Sequence, residues 1–388
     1  MLALGIMVPV LPRLVRDMVG GDTAYAARMC GLFGVAWAAM QFLCSPLVGA
    51  LSDRFGRRPI ALISNFGQGL DYFFMALAPS ISWLFVGRII SGITAASVSV
   101  GGAYIADITP PERRAKAFGL LGAAFNLGFI IGPAIGGFLG SNGPRVPFFV
   151  AGACSLLNAI YGYCVLPESL PLSRRAPWSW KKTNPLASFV LLGSHPMLIR
   201  LGVVAVFANV ASEAMPHVSV LYTDYRYGWS AQTVGFIITT ASLCSVAVQL
   251  FLVGPAVRRL GEGRVLQTSM LLGALGLAIY GAAWSGSIYG LGILASALWG
   301  AAGPVHQSLM TRYIREDQQG SLQGAQSSLW GVAGLIGPGI FTSVFADAIS
   351  KDAVVPNMPG APFFLASIFL LIGVFLARGV RTAHPAQA

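Results

Sequence analysis

Apolar residues in this chain come in long blocks rather than in the stripes of a soluble helix or the alternation of a half-buried strand. A helix that crosses the hydrocarbon core of a bilayer needs about 20 such residues. Blocks near that length lie at 28–50, 59–79, 82–104, 116–139, 146–166, 197–221, 231–254, 265–284, 287–310, 321–345 and 361–379, with a shorter one at 1–12. We number them spans 1 to 12 in chain order. A longer polar stretch, 167–196, is rich in Pro, Ser, Trp and Lys and separates residues 1–166 from 197–388. The pattern predicts an all-α polytopic membrane protein of two six-helix bundles joined by a linker, with a first helix that is cut short.

Composition agrees. Of 388 residues, 55% are hydrophobic and only 10% charged, against about 25% charged in a typical soluble chain. So few charges cannot cover a soluble protein of this size. The 47 glycines and 23 prolines suit membrane helices, where close helix approach is useful and freed backbone groups find partners inside the bundle.

The net charge of +11 would suggest nucleic acid until the basic residues are located. Eighteen of the 25 lie on one side: in the loops after spans 2, 4, 6, 8 and 10 and in the tail, from Arg54, Arg57 and Arg58 to Arg378 and Arg381. Six (Arg13, Arg16, Arg28, Arg145, Arg226 and Lys351) lie on the other, and Arg88 falls inside a span. This bias marks the first side, with both termini, as cytoplasmic, and removes the case for nucleic acid. The five cysteines lack metal-ligand spacing, the four histidines are scattered, and neither a Ser-His-Asp signature nor a phosphate loop occurs. No enzyme chemistry, metal or cofactor is expected.

The two halves repeat at an offset of 205 residues. Gly49-Ala-Leu-Ser-Asp-Arg-Phe-Gly56 lies over Gly254-Pro-Ala-Val-Arg-Arg-Leu-Gly261, Gly119 over Gly324, and Gly132-Pro133 over Gly337-Pro338. Pro147-Phe-Phe and Pro362-Phe-Phe match after ten further residues. Two bundles related by an axis along the membrane normal are a plan of secondary transporters, with the substrate path between them near the midplane.

The stretch Gly49-Ala-Leu-Ser-Asp-Arg-Phe-Gly-Arg-Arg-Pro59 resembles the loop 2–3 signature of the major facilitator superfamily. Gly87-Arg88-Ile-Ile-Ser-Gly92 is similar to its fourth-helix motif. Gly128-Phe-Ile-Ile-Gly-Pro-Ala-Ile-Gly-Gly137 resembles the fifth-helix motif of proton-driven drug exporters. Leu70-Asp71-Tyr72, Tyr104-Ile-Ala-Asp107 and Leu221-Tyr-Thr-Asp-Tyr-Arg-Tyr-Gly-Trp229 narrow the resemblance to the tetracycline/proton antiporter branch. It extends over nearly the whole chain and is denser in the first half. Two departures stand out. The family's acidic residue of helix 1 would fall just before Met1, so a further apolar segment ending in an acid is expected upstream. Its acidic residue of helix 9 aligns with Gly273, which separates tetracycline itself from drug-like compounds in general.

Charges inside the membrane are expensive and mark function. Asp71 lies ~18 Å from the cytoplasmic edge at 1.5 Å per residue, and Arg88 ~20 Å. An ion pair between them is feasible, serving either to fix the bundle or to couple protons. Glu213 stands one turn before Pro216, with no basic partner evident and Asn209 on its face. A carboxyl deprived of water and partner binds protons reversibly near neutrality; the alternative is a solvated residue at the outer helix end. Gln41, Gln68, Asn126, Asn209 and Gln323 are candidates for the substrate path, with interhelical hydrogen bonding as the alternative role. Gly128, Gly132, Pro133, Gly136 and Gly137 form a small-residue surface on span 5 that admits a neighbouring helix.

The resemblance implies a cytoplasmic latch of Asp53 and Arg57, in the 2–3 loop with Gly49, Gly56 and Arg58, and Asp107 at the inner end of helix 4, ahead of Arg113 in the 4–5 loop. Adding 205 gives Arg258, Glu262 and Arg312, an acid-base-acid set turned into base-acid-base. Alternation survives that inversion, because only relative signs enter Coulomb's law. A second latch is one reading of the trio; arginines placed by topology alone are the other.

The expected function is proton-coupled efflux of drug-like amphiphiles, tetracycline-like compounds among them, from a bacterial-type inner membrane. The proton gradient drives it without a cofactor, and the unit is a monomer. Such an exporter confers antibiotic resistance. The alternatives are a proton symporter or facilitator for a small metabolite, and a non-transporting membrane receptor or scaffold.

Overall fold

A computed structural model describes residues 1–95, 98–175, 189–315, 318–350 and 358–379. Two compact units emerge: Met1–Pro185 with Trp229–Thr239, and Leu186–Gly228 with Thr240–Ala388.

The first unit begins with a broken helix. Helices α1 (Leu2–Met7) and α2 (Leu11–Met18) flank a turn at Val8–Val10, where Pro9 supplies no backbone donor. Pro12 and Arg13 lie in the first turn of α2, where proline is tolerated. α3 (Thr23–Phe55) starts at the Asp22 carboxylate, which accepts a hydrogen bond from the Tyr25 amide at 2.9 Å. α4 (Arg57–Leu77), α5 (Ile81–Ala95), α6 (Val98–Ile108), α7 (Pro111–Gly140) and α8 (Val146–Val165) follow. α4 packs on α8 and α5, α3 on α5, and α1 on α7. Arg145 donates to the carbonyls of Ala76 and Ala78 at 2.8 and 2.9 Å, placing a cation at the negative end of α4.

In the second unit, α9 (Phe189–Leu192) precedes α10 (Pro196–Ser212), capped by the His195 ring. α11 (Ala214–Tyr227) ends at Gly228 in the left-handed region, φ +64°. α12 (Ala231–Ala247) starts in the first unit and continues through a π turn, Val248–Leu252, into α13 (Val253–Leu260). Then come α14 (Glu262–Ala282), α15 (Gly286–Leu298), a 3-10 turn at Trp299–Ala301, α16 (Ala302–Thr311), α17 (Gln319–Ile349) and α18 (Ala361–Ala377). α14 packs on α18 and α15, and α10 on α18 and α17.

Among the described residues, nine helices are long and apolar enough to cross a membrane, and Ala361–Ala377 is a shorter apolar one. α4, with Arg57, Arg58 and Asp71, is not among the nine. The repeat is visible in the backbone. α4 and α14 have 21 residues each and begin 205 positions apart, behind Gly56 (φ +107°) and Gly261 (φ +79°). Only glycine accepts that conformation without strain, so a glycine at both sites sets the sharp entry into each helix. Pro133 and Pro338 lie inside α7 and α17 at the same offset.

Candidate functional sites

In the first unit, Asp71 of α4 is 2% exposed, and neither of its carboxylate oxygens has a hydrogen-bond partner. Arg88 of α5 is close enough to couple electrostatically with Asp71, Tyr72 and Cys30. Its guanidinium lies over the Trp37 ring, 5.6 Å from the centroid, and its Nε is buried without a hydrogen bond. The ion pair thought feasible from sequence depth is therefore not closed: the cation faces an aromatic ring, and the carboxylate lies near Ser91 within electrostatic reach of Arg88. Gly87 makes room chiefly for Met75, whose Cγ would meet a Cβ there, with Asp71 Oδ1 next to it at 3.3 Å.

In the same unit, Arg57 opens α4 and bridges two acids. Its Nη1 is 2.5 Å from Asp53 Oδ1 and its Nε 3.1 Å from Asp107 Oδ2. Nη1 also donates to Ser52 Oγ, whose hydroxyl donates to the Gly49 carbonyl. A basic residue at a helix N-terminus opposes the dipole. Glu168 offsets this by accepting from the amides of Arg57 and Arg58 at 2.8 and 3.3 Å. It was not among the candidates; the bare N-terminus of α4 was the signal that could have found it. Arg58 donates to the Tyr163 carbonyl at 2.6 Å, and Arg113 is exposed.

The glycine surface of α7 has a definite neighbour. A Cβ on Gly132 would stand 2.6 Å from the Gly5 Cα of α1, and one on Gly128 2.8 Å from the Leu2 amide nitrogen. Gly136 abuts Ile6, Gly137 meets Ala231, and Pro133 presents its carbonyl to Gly235. Gln68 donates to the Tyr72 hydroxyl at 3.1 Å, Gln41 is partly buried, and Asn126 is exposed.

In the second unit, Glu213 sits where α10 passes into α11. Its side chain is 13% exposed, and His217 Nε2 lies 3.7 Å from Oε2. The expectation of no basic neighbour is corrected here: the i, i+4 spacing on a helix brings His217 to the same face. One turn earlier, Asn209 lines a cavity of about 570 Å³ with Gln249, Gln307, Gln326, Trp299 and Trp330. Of the proposed path residues only Asn209 lies there; Gln323 is exposed elsewhere on α17.

At the start of α14, Arg312 Nη2 stands 2.9 Å from Glu262 Oε2, and Ser308 donates to Oε1 at 2.8 Å. Glu262 is the first residue of α14, where an anion is favoured by the helix dipole. Arg258 is exposed and takes no part in this contact. The proposed trio is thus corrected to a pair with a serine. The inversion holds at two of three positions; α13 turns the third toward solvent. No group of three or more His, Cys, Asp or Glu among the described residues is arranged to hold a metal.

Comparison with known proteins follows the same outline. The family model for the Major Facilitator Superfamily matches residues 1–226 and 202–388. The class C tetracycline resistance protein of Escherichia coli is 35% identical over 94% of this chain and 91% of its own. The multidrug resistance protein 2 of Bacillus subtilis is 30% identical over 97% and 90%. The crystal structure of the human organic anion transporter MFSD10 (TETRAN) superposes with a TM-score of 0.68 at 26% identity, over 97% of this chain and 95% of that one. Fold, motifs and relatives agree: this multi-pass membrane chain belongs to the Major Facilitator Superfamily of transporters.

Proposed function

We propose that the protein is a proton-coupled exporter of drug-like amphiphilic compounds in a bacterial cytoplasmic membrane, with both termini inside. The observation that carries this reading is Asp71, a carboxylate buried in the first unit with neither oxygen hydrogen-bonded. An acid kept there against its desolvation cost has a use, and reversible protonation is one that a transporter can exploit. Glu213 beside His217 supplies a second such group. The resistance proteins of Escherichia coli and Bacillus subtilis support drug-like cargo, and the arginine asymmetry of the loops supports the orientation. Protons and a small molecule are the partners, no cofactor is involved, and a single chain suffices.

The deciding experiment uses everted membrane vesicles containing the full chain. Accumulation of amphiphilic dyes and of tetracycline is followed with a proton gradient imposed and then collapsed by a protonophore. Accumulation that stops on collapse supports antiport. Equal movement with and without the gradient identifies a facilitator, and gradient-dependent loss of compound from the vesicles identifies a symporter.

A further inference from the structure

The cavity of the second unit has walls of an unusual kind for a protein with so many arginines. Its lining contains four amide side chains, Asn209, Gln249, Gln307 and Gln326, several hydroxyls and two tryptophans, but, among the described residues, no Asp, Glu, Lys or Arg. His306 is committed to the Leu201 carbonyl through Nε2 at 2.9 Å. Glu213, next to the wall residue Ser212, is directed at His217 and Gly337 instead. A charged ligand entering this space would lose its hydration and meet no counter-charge. A neutral one with donors and acceptors at its edge would find amides, each of which offers both.

The floor adds a shape. Gly273 of α14 has no side chain, and the space one would take is occupied by Trp299: a Cβ at 273 would stand 2.7 Å from the indole Cγ and 3.0 Å from Cδ2. The 3-10 turn at Trp299–Ala301 interrupts the helix at the point where the ring drops onto the glycine. One edge of the indole therefore rests on backbone and the residue lines the cavity. Ring and glycine are mutually required: a carboxylate at 273 and an indole at 299 cannot both be housed.

The geometry points to a binding subsite for uncharged planar aromatic compounds in the second unit, with Trp299 as the stacking surface and Gly273 as the position that seats its ring. This deepens the efflux reading by naming a substrate class, and it rests on that reading only in treating the bound compound as cargo.

Two probes of matched ring size separate the outcomes. Acridone is a neutral tricycle with one N–H and one carbonyl at its edge; proflavine is a tricyclic cation at neutral pH. Each is titrated by fluorescence polarisation against the full-length protein in lipid nanodiscs, with empty nanodiscs as the blank. Acridone is expected to bind at least tenfold more tightly than proflavine. Trp299→Ala is expected to weaken acridone by about tenfold, the scale of one aromatic stacking contact, while Trp299→Phe retains most of the affinity. Trp299→Gly combined with Gly273→Asp is expected to reverse the preference toward proflavine, because the carboxylate then has room. No acridone binding to the wild-type protein, proflavine binding as tightly as acridone, or unchanged acridone affinity in monodisperse Trp299→Ala protein would each overturn the proposal. The wild-type comparison stands even if a variant does not fold. Vesicle export is scored separately: acridone binding without gradient-driven export overturns the efflux reading and leaves the subsite, whereas export of other compounds without acridone binding does the reverse.

Discussion

Gly337 is the surface against which Glu213 rests: a Cβ built at position 337 would stand 2.6 Å from Glu213 Cγ, and nearer still to its Cβ. In the first half, the equivalent Gly132 lies against the backbone of α1. The repeat has thus kept a glycine in both long helices for close approach, and the second half uses it to seat a carboxylate. Gly337→Ala is expected to destabilise the protein by about 1–3 kcal/mol, as overpacking does in a tight interior. Because the nearest atom is Glu213 Cβ itself, Glu213→Gly should relieve the effect and Glu213→Ala should not. Thermal unfolding of the single and double variants in nanodiscs measures both; equal rescue by alanine and glycine would show that the packing account is wrong.

Glu213 is also the group whose ionisation matters most for the proposed cycle. Glu213→Gln keeps the shape and removes the charge, so the protein should insert normally and lose gradient-driven export by at least tenfold. His217→Asn should weaken export without abolishing it, since it removes the imidazole that lies 3.7 Å from the Glu213 carboxylate. Wild-type export by Glu213→Gln across roughly pH 6 to 8, a window about neutrality, would remove Glu213 from the cycle.

Asp71 calls for a different expectation. With neither oxygen hydrogen-bonded, Asp71→Asn forfeits no such bond. The change relieves a buried carboxylate but leaves Arg88 without the acid it couples to, so the net effect on thermal stability should be small, within about 1 kcal/mol. Export should nevertheless be lost. Arg88 stacks on Trp37 rather than closing on Asp71, so Arg88→Gln should not restore export to Asp71→Asn. Restoration in the double variant, read in everted vesicles, would mean that the two charges are paired during the cycle.

Much of this was legible in the chain because membrane insertion leaves a coarse imprint. Spans must be long and apolar, and a duplicated bundle repeats its glycines, so the starts of α4 and α14 could be read at residue level from Gly56 and Gly261. The latch residues Asp53, Arg57 and Asp107 were found through a motif, and they meet. Other features depend on rotation about helix axes, which hydropathy does not encode in a segment that is apolar all round. Hence Gln323 and Asn126 were favoured over Gln249, Gln307 and Gln326, which line the cavity. His217 could have been found four residues after Glu213, since that spacing alone places both on one helical face. Trp299 on Gly273 could not, because it requires knowing that a short 3-10 turn brings two distant positions together.

The start of α14 gives the last prediction. Glu262 is nearly buried, receives Ser308, and meets Arg312 at 2.9 Å, while Arg258 projects into solvent. A double-mutant cycle with Glu262→Gln and Arg312→Gln should give a coupling of up to about 1 kcal/mol, the scale of a pair with one partner in water. The arginine is 43% exposed on its side chain, which limits what the contact can contribute. Glu262→Gln alone should be the costlier of the two singles, because it also removes an anion from the N-terminus of α14. Arg258→Gln should change stability by less than about 0.5 kcal/mol, as an exposed residue outside the contact, and should show no coupling to Glu262. The unfolding midpoints of these variants decide the matter: coupling of Glu262 to Arg258 as large as to Arg312 would restore the three-member latch that the charge inversion suggested.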